Sequence, residues 1–231
     1  MAKRFVLALL VTPLLLAACT TFAPPREDAR NTWGIDPAMP GPEGRLSAEA
    51  TFHVARPAAA ATVASTEMAY QQADFQRQYY ARNRWAAEPA QLLHPHLVAA
   101  IESAGLFTTV IARSTTAPAH YRLETELLEL MHDFRAREQG RVRVRLRAHV
   151  IDLRRGAVVA TRRFRVQADS AEASPQAGVA ATNDAIERVL VELTDWLAEA
   201  LEIGVGFGAD RGNVLSPTAA QNTVHTPNRG R

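Results

Sequence analysis

Cys19 is the single cysteine of the chain, and Leu16-Ala17-Ala18 before it completes the lipobox pattern L-[AS]-[GA]-C. A thiol in that setting takes a diacylglyceryl group, and cleavage before residue 19 leaves the acylated cysteine as the new N-terminus. The flanks agree with this. Lys3 and Arg4 make a short positive start, residues 5–16 are apolar apart from Thr12 and Pro13, and small residues precede the cut, which is the plan of a secretory signal. The apolar run falls short of the ~20 residues needed to span a bilayer. Acyl chains contribute about 0.8 kcal/mol per buried methylene, so several on one residue hold a protein durably at a membrane surface. A lone cysteine excludes an internal disulfide, although an exported protein would tolerate one. The covalent lipid, palmitate among its chains, is the only group expected on the protein, with no cofactor.

Other chemistry is sparse. His94 and His96 flank Pro95 as a His-x-His pair, but no carboxylate or cysteine cluster accompanies them, and a surface pair is expected rather than a metal site. There is no Gly-x-Ser-x-Gly elbow and no phosphate loop. Asp152, Asp169, Asp184 and Asp195 stand without a recognisable nucleophile partner. Triads need not be local in sequence, but no residue is nominated as catalytic and the chain is expected not to be an enzyme.

Charge carries more information. The 26 Lys plus Arg against 24 Asp plus Glu become balanced once Lys3 and Arg4 leave with the signal. The basic pI is thus a property of the signal and gives no reason to expect nucleic acid as a partner. Locally the balance fails: residues 121–168 hold twelve Arg against six acids. One reading is a surface for acidic partner loops or anionic lipid headgroups, with Arg143, Arg145, Arg147, Arg163 and Arg165 as candidates. The other is a solvated sheet face whose arginines pair across strands with Glu124 and Glu126. Tyr79 and Tyr80 are further partner-binding candidates, because aromatic residues dominate interface energetics. They would serve equally as core plugs beneath a helix, the role expected of Trp85.

Four segments must position these groups: a signal peptide (1–18), an acylated cysteine with a Pro-rich tether (19–46), a folded domain (47–203) and a disordered tail (204–231). The tether would span about 30 Å as a coil, and the Gly- and Pro-rich tail lacks apolar periodicity. Within the domain, strands are expected over 62–70 and 75–84. A helix opens at Pro89 and ends near Gly105, kinked or restarted at Pro95. A short strand follows over 106–112, then a longer one over 121–134, whose apolar face changes phase near Leu127 and Leu128, the sign of a bulge. Val142, Val144, Leu146, Ala148 and Val150 alternate with Arg141, Arg143, Arg145, Arg147 and His149, as in a sheet with one dry and one wet face. Arg154-Arg155-Gly156 turns the chain into a hairpin partner over 157–167. Ser174 and Pro175 open the last helix, with Ala185, Ile186, Val189, Leu190, Leu193, Trp196, Leu197 and Leu201 as its apolar stripe and Gly204 at its end. The expected class is α+β: a predominantly antiparallel sheet with two helices packed on one face.

Several of these runs resemble a known family. Met68-Ala69-Tyr70, the segment Tyr79-Tyr80-Ala81-Arg82-Asn83-Arg84-Trp85, Leu92-Leu93, Leu106-Phe107 after Gly105, Tyr121-Arg122-Leu123, Asp133-Phe134 and the helix from Ala180-Ala181 to Trp196-Leu197 look like the ABC-type transport auxiliary lipoproteins. These include the paraquat-inducible-type lipoprotein associated with MCE-domain (mammalian cell entry) lipid transport. The resemblance covers roughly residues 62–202, and its most specific part is the Tyr-to-Trp segment. Where the family usually begins with a Tyr-x-Leu strand, this chain has Thr51-Phe52-His53-Val54 and then an Ala-rich stretch. The resemblance implies a noncatalytic periplasmic subunit that works with an ABC permease and ATPase and an MCE-domain protein to move lipid and support outer-membrane integrity. Phospholipid and a second copy of the chain are further partners it suggests. Thr20 stands where an Asp would favour inner-membrane retention, so the expected site is the outer membrane, lipid-anchored and facing the periplasm. The other reading is an outer-membrane assembly or structural lipoprotein not tied to an ABC transporter; an adjacent permease, ATPase and MCE gene would separate the two.

Overall fold

The alternation of apolar and charged residues along 141–152 becomes a long strand of the structure, a computed structural model that describes residues 30–39, 48–113 and 118–208, with side chains of the last helix described to residue 200. Nine strands are formed among these residues: β1 (Asn31–Trp33), β2 (Ala48–Val54), β3 (Ala58–Ala59), β4 (Glu67–Gln71), β5 (Gln78–Trp85), β6 (Phe107–Ile111), β7 (Tyr121–Asp133), β8 (Arg141–Asp152) and β9 (Ala157–Asp169). Two helices accompany them, α1 (Pro89–Ser103) and α2 (Pro175–Gly208). None of the described helices is long and apolar enough to cross a membrane.

The sheet is mixed, which corrects the expectation of a predominantly antiparallel one. Five pairings are parallel, β1 with β5, β2 with β6, and β2, β3 and β4 with β7. Three are antiparallel, β4 with β5, β7 with β8 and β8 with β9. Side-chain alternation marks a strand but says nothing of its partner's direction, and the long β7 is what decides it here. One edge of β7 takes β8. The other edge takes β2, β3 and β4 in succession, at Phe52↔Tyr121, Ala58↔Glu126 and Tyr70↔His132. The chain passes along that edge in one direction, so all three short strands run parallel to β7. The helices also differ from a simple layer on one face. They pack toward the margins of the sheet, α1 on β6 and β7, α2 on β9 and β8, and they touch each other.

Local chemistry explains the ends of the elements. Helix α1 starts at a proline, whose missing N–H falls where no intrahelical bond is made, runs through Pro95 without restarting, and stops before Gly105 at φ 63°, a conformation that favours glycine. At α2, Ser174 caps as expected, its Oγ accepting from the Ala177 N–H at 3.1 Å, and the helix continues past Gly204 to Gly208. Two expected strands begin later than read. Residues 61–66 form turns before β4, and 72–77 form the β4–β5 connection, with Phe75 at φ 62°.

Residues 31–36, within the Pro-rich stretch, are part of the sheet and core. Trp33 Nε1 and Asn31 Nδ2 both donate to Asn83 Oδ1, at 2.9 and 3.2 Å, and Ile35 is buried. The core gathers Leu93, Leu97 and Ile101 of α1, Val142, Val144, Leu146, Ala148 and Val150 of β8 and the Leu190–Leu193–Leu197 stripe of α2. Phe52 stacks on Phe107 with centroids 4.0 Å apart. Residues 1–29, 40–47, 114–117 and 209–231 lie outside the described residues, and with them the signal peptide, Cys19 and most of the expected tail.

Candidate functional site

With Val142, Val144, Leu146, Ala148 and Val150 committed to the core, period-two geometry sends Arg141, Arg143, Arg145 and Arg147 to the opposite face. What meets them there depends on β7. Its register with β8 slips by one residue between Leu127 and Glu129, the bulge signalled by the phase change. Before the slip Leu123, Thr125 and Leu127 point inward; after it Leu130 does. Glu126 and Glu129 therefore both arrive on the arginine face, opposite Arg147 and Arg145.

Glu129 is only 5% exposed and serves two arginines. Arg143 Nη2 lies 2.8 Å from its Oε1, and Arg145 Nε meets its Oε2. Arg143 also reaches Asp133 at 3.4 Å and donates to Gln71 Oε1 at 3.1 Å, and Arg147 pairs with Glu126. Asp133 is held below its ordinary pKa chiefly by the hydrogen bonds of the Arg135 side chain, against an opposing contribution from burial. Glu124, expected to pair across the strands, instead stands opposite His149 and lies 3.6 Å from Arg122 of its own strand. The reading in terms of Glu124 and Glu126 missed Glu129 and Asp133, although the bulge that brings Glu129 out was visible in the sequence.

Strand β9 brings further cations to this face, and its one acid, Asp169, is paired 2.6 Å from Arg137 of the β7–β8 turn. Arg165 lies directly opposite Arg145, and Arg163 opposite Arg147. Both β9 arginines are exposed and have no carboxylate partner among the described residues. Like charges at directly opposed positions destabilise a sheet, so this arrangement is not what fold stability alone would select.

The two tyrosines part company. Tyr79 pairs with Ala69, and Gln71, two residues on, pairs with Asp133, so Tyr79 shares the arginine face and is exposed. Tyr80 turns to the core side, its hydroxyl 3.0 Å from His132 Nδ1 and its ring 4.6 Å from that of Tyr70. Burial, and after it the neighbouring Tyr70, pushes the Tyr80 hydroxyl up to about 12. Trp85 is buried, as expected. One continuous face thus carries Arg163 and Arg165, then Arg143, Arg145 and Arg147, then Glu126 and Glu129, and on its far side Tyr79.

Elsewhere, His94 and His96 each bond a backbone carbonyl, of Val54 at 3.2 Å and Ile35 at 2.8 Å. They tie α1 to two neighbouring segments. His94 also lines an open groove of about 930 Å³ with His53, Arg56, Glu102 and Arg113. The His53 pKa is lowered there, first by burial and then by Arg122 and His94. Among the described residues no group of three or more His, Cys, Asp or Glu side chains is placed to hold a metal ion.

The sequence matches, over residues 35–194, the model of a family described as the ABC-type transport auxiliary lipoprotein component. No curated protein matches the chain. Among solved structures, the fold is similar to a Xanthomonas campestris protein assigned to the family DUF330, at 21% identity over 76% of this chain and 99% of that one, with a TM-score of 0.68. It is also similar to an uncharacterized protein at 15% identity over 73% and 99%, with a TM-score of 0.59. At such identities the two structures establish a shared fold.

Proposed function

This chain belongs to the family of ABC-type transport auxiliary lipoproteins, proteins anchored to an envelope membrane, and on that premise we propose that it is a noncatalytic docking subunit of an ABC/MCE-type lipid transport system. Acylated at Cys19 and held in the outer membrane facing the periplasm, it would engage an MCE-domain protein or the ABC permease and ATPase complex, and so support the passage of phospholipid and the integrity of the outer membrane.

The observation that supports this reading is the opposed arginines. Arg145 faces Arg165 and Arg147 faces Arg163 across β8 and β9, an arrangement unfavourable within the chain and favourable toward an acidic partner surface. The β8 arginines are already engaged by Glu129 and Glu126, so the cations open to a partner are Arg163 and Arg165. Charge of this kind governs capture and orientation more than affinity. Capture from solubilised envelope membranes by the full-length acylated chain, with identification of the retained proteins, tests the reading. Recovery of an MCE-domain protein with the permease and ATPase is expected, and recovery of outer-membrane assembly factors alone would overturn it.

A further inference from the structure

The β4–β5 connection (72–77) holds the one non-glycine residue at positive φ among the described residues, Phe75 at φ 62°. Its ring is fully exposed, at 106% of the reference area. A phenylalanine in the left-handed region with no apolar contact serves neither backbone economy nor the core, and such outliers gather at functional positions. The loop around it is nonetheless held. Asp74 is gripped by Arg135 Nη1 at 2.5 Å, Gln71 Nε2 donates to the Ala73 carbonyl at 3.0 Å, and Arg77 donates to the Thr62 carbonyl. The ring is therefore presented by a braced turn.

Topology says what it is presented to. Strand β1 runs parallel to β5, with Asn31 opposite Asn83 and Trp33 opposite Trp85. The chain preceding Asn31 therefore enters β1 from the side of Gln78, the end of β5 that carries the Phe75 loop. Only ten residues, 20–29, separate Cys19 from Arg30. Fully stretched they reach about 36 Å, and as a coil they would span about 16–19 Å. The five residues from Asn83 back to Gln78 cover about 17 Å of strand. Acylation at Cys19 would thus tether the domain through ten residues joined to β1 from its Phe75 side.

We propose that the Phe75 loop is a membrane-interface finger, its ring entering the headgroup region of the same bilayer that holds the acylated N-terminus. Arg77, Arg135 and Arg137 stand at this end of the sheet with Asp74, Asp133, Glu138 and Asp169; Arg135 pairs with Asp74 and Asp133, Arg137 with Asp169, and Arg77 donates to the Thr62 carbonyl. The exposed ring, rather than a surplus of cations, is therefore what this end offers to a headgroup region. The inference rests on acylation at Cys19 under the function proposed above. It adds an orientation: the β4–β5 loop and the β7–β8 turn face the membrane, and the β8–β9 hairpin points away.

The test uses the full-length acylated chain in vesicles of phosphatidylethanolamine and phosphatidylglycerol. Because Cys19 is the only native cysteine and carries lipid, Phe75→Cys and, separately, Val158→Cys at the opposite end each provide one thiol for a nitroxide. At position 75 the probe is expected to collide preferentially with oxygen and to show a severalfold loss of collision with a water-soluble nickel chelate relative to position 158. Equal access to the chelate at both positions, in protein that floats with the vesicles, overturns the inference while leaving the anchor intact. An immobilised probe shielded from oxygen and chelate alike would indicate a protein contact and overturns it too. Protein that fails to float refutes the anchor, and the inference with it.

Discussion

Glu129 lies directly across the β7–β8 ladder from Arg145, and it does so only because the ladder slips by one residue after Leu127. Without the slip, Glu129 would follow Leu123, Thr125 and Leu127 onto the core face. With it, a buried carboxylate becomes the shared partner of Arg143 and Arg145. Removing both arginines by Arg143→Ala with Arg145→Ala should cost about 3–5 kcal/mol, because a buried charge is left uncompensated. Arg163→Gln with Arg165→Gln should change stability by no more than about 0.5 kcal/mol, since these side chains are exposed and opposed by like charge. Urea denaturation of the two double variants separates them, and equal losses would show that β9 is as structural as β8.

A second consequence follows from His132. Its ring lies in the core, hydrogen-bonded to Tyr80, tilted against Phe134 with centroids 4.2 Å apart and packed so closely under α2 that a Cβ on Gly178 would come within 2.5 Å of Nδ1. Burial, the leading cause, lowers its pKa below 6.5, against weaker opposing contributions from Gln139 and Asp133. The unfolded state therefore takes up a proton at a higher pH than the folded one. Stability is fully present above the unfolded value of 6.5 and is lost as pH falls from there toward the folded pKa. His53, also lowered, adds to the same slope. Urea midpoints measured from about pH 7.5 down to about pH 5 should fall for the wild type and fall less steeply for His132→Phe. An identical slope in the variant would mean that His132 titrates alike in both states.

Trp196 offers a check on the packing of α2. It is buried and meets Phe164 of β9 edge to face, with centroids 5.8 Å apart. Trp196→Ala should cost about 3–5 kcal/mol, seen as a lowered thermal midpoint, and a variant as stable as the wild type would detach the helix from β9.

Much of this was legible in the residues. The alternation of Val142–Val150 with arginines fixes β8 and its two faces, the Ser174–Pro175 pair fixes the start of α2, and the phase change beside Leu128 announces the bulge. Sheet direction was not legible, because three short strands share one edge of β7 and nothing in their own patterns records that they run the same way as their partner. Strand β1 was hidden for another reason. Its hold on β5 comes from Trp33 and Asn31 converging on Asn83, fifty residues away in sequence, with no local periodicity to show it. At the candidate site the arginines were visible, but their sorting into engaged ones on β8 and open ones on β9 needed the cross-strand register. Tyr79 and Tyr80 were adjacent in sequence and so read together, whereas the pleat sends them to opposite faces.

The rate at which the acylated chain associates with its transport complex, measured against ionic strength, tests the docking role most directly. Exposed charges are screened over about 8–10 Å at physiological salt, so the wild-type rate should fall as salt rises. Arg163→Gln with Arg165→Gln should lower the rate at low salt and flatten its salt dependence, leaving dissociation nearly unchanged. A double variant that folds normally and captures the complex at the wild-type rate, with the wild-type salt dependence, would contradict the arginine face as the docking surface.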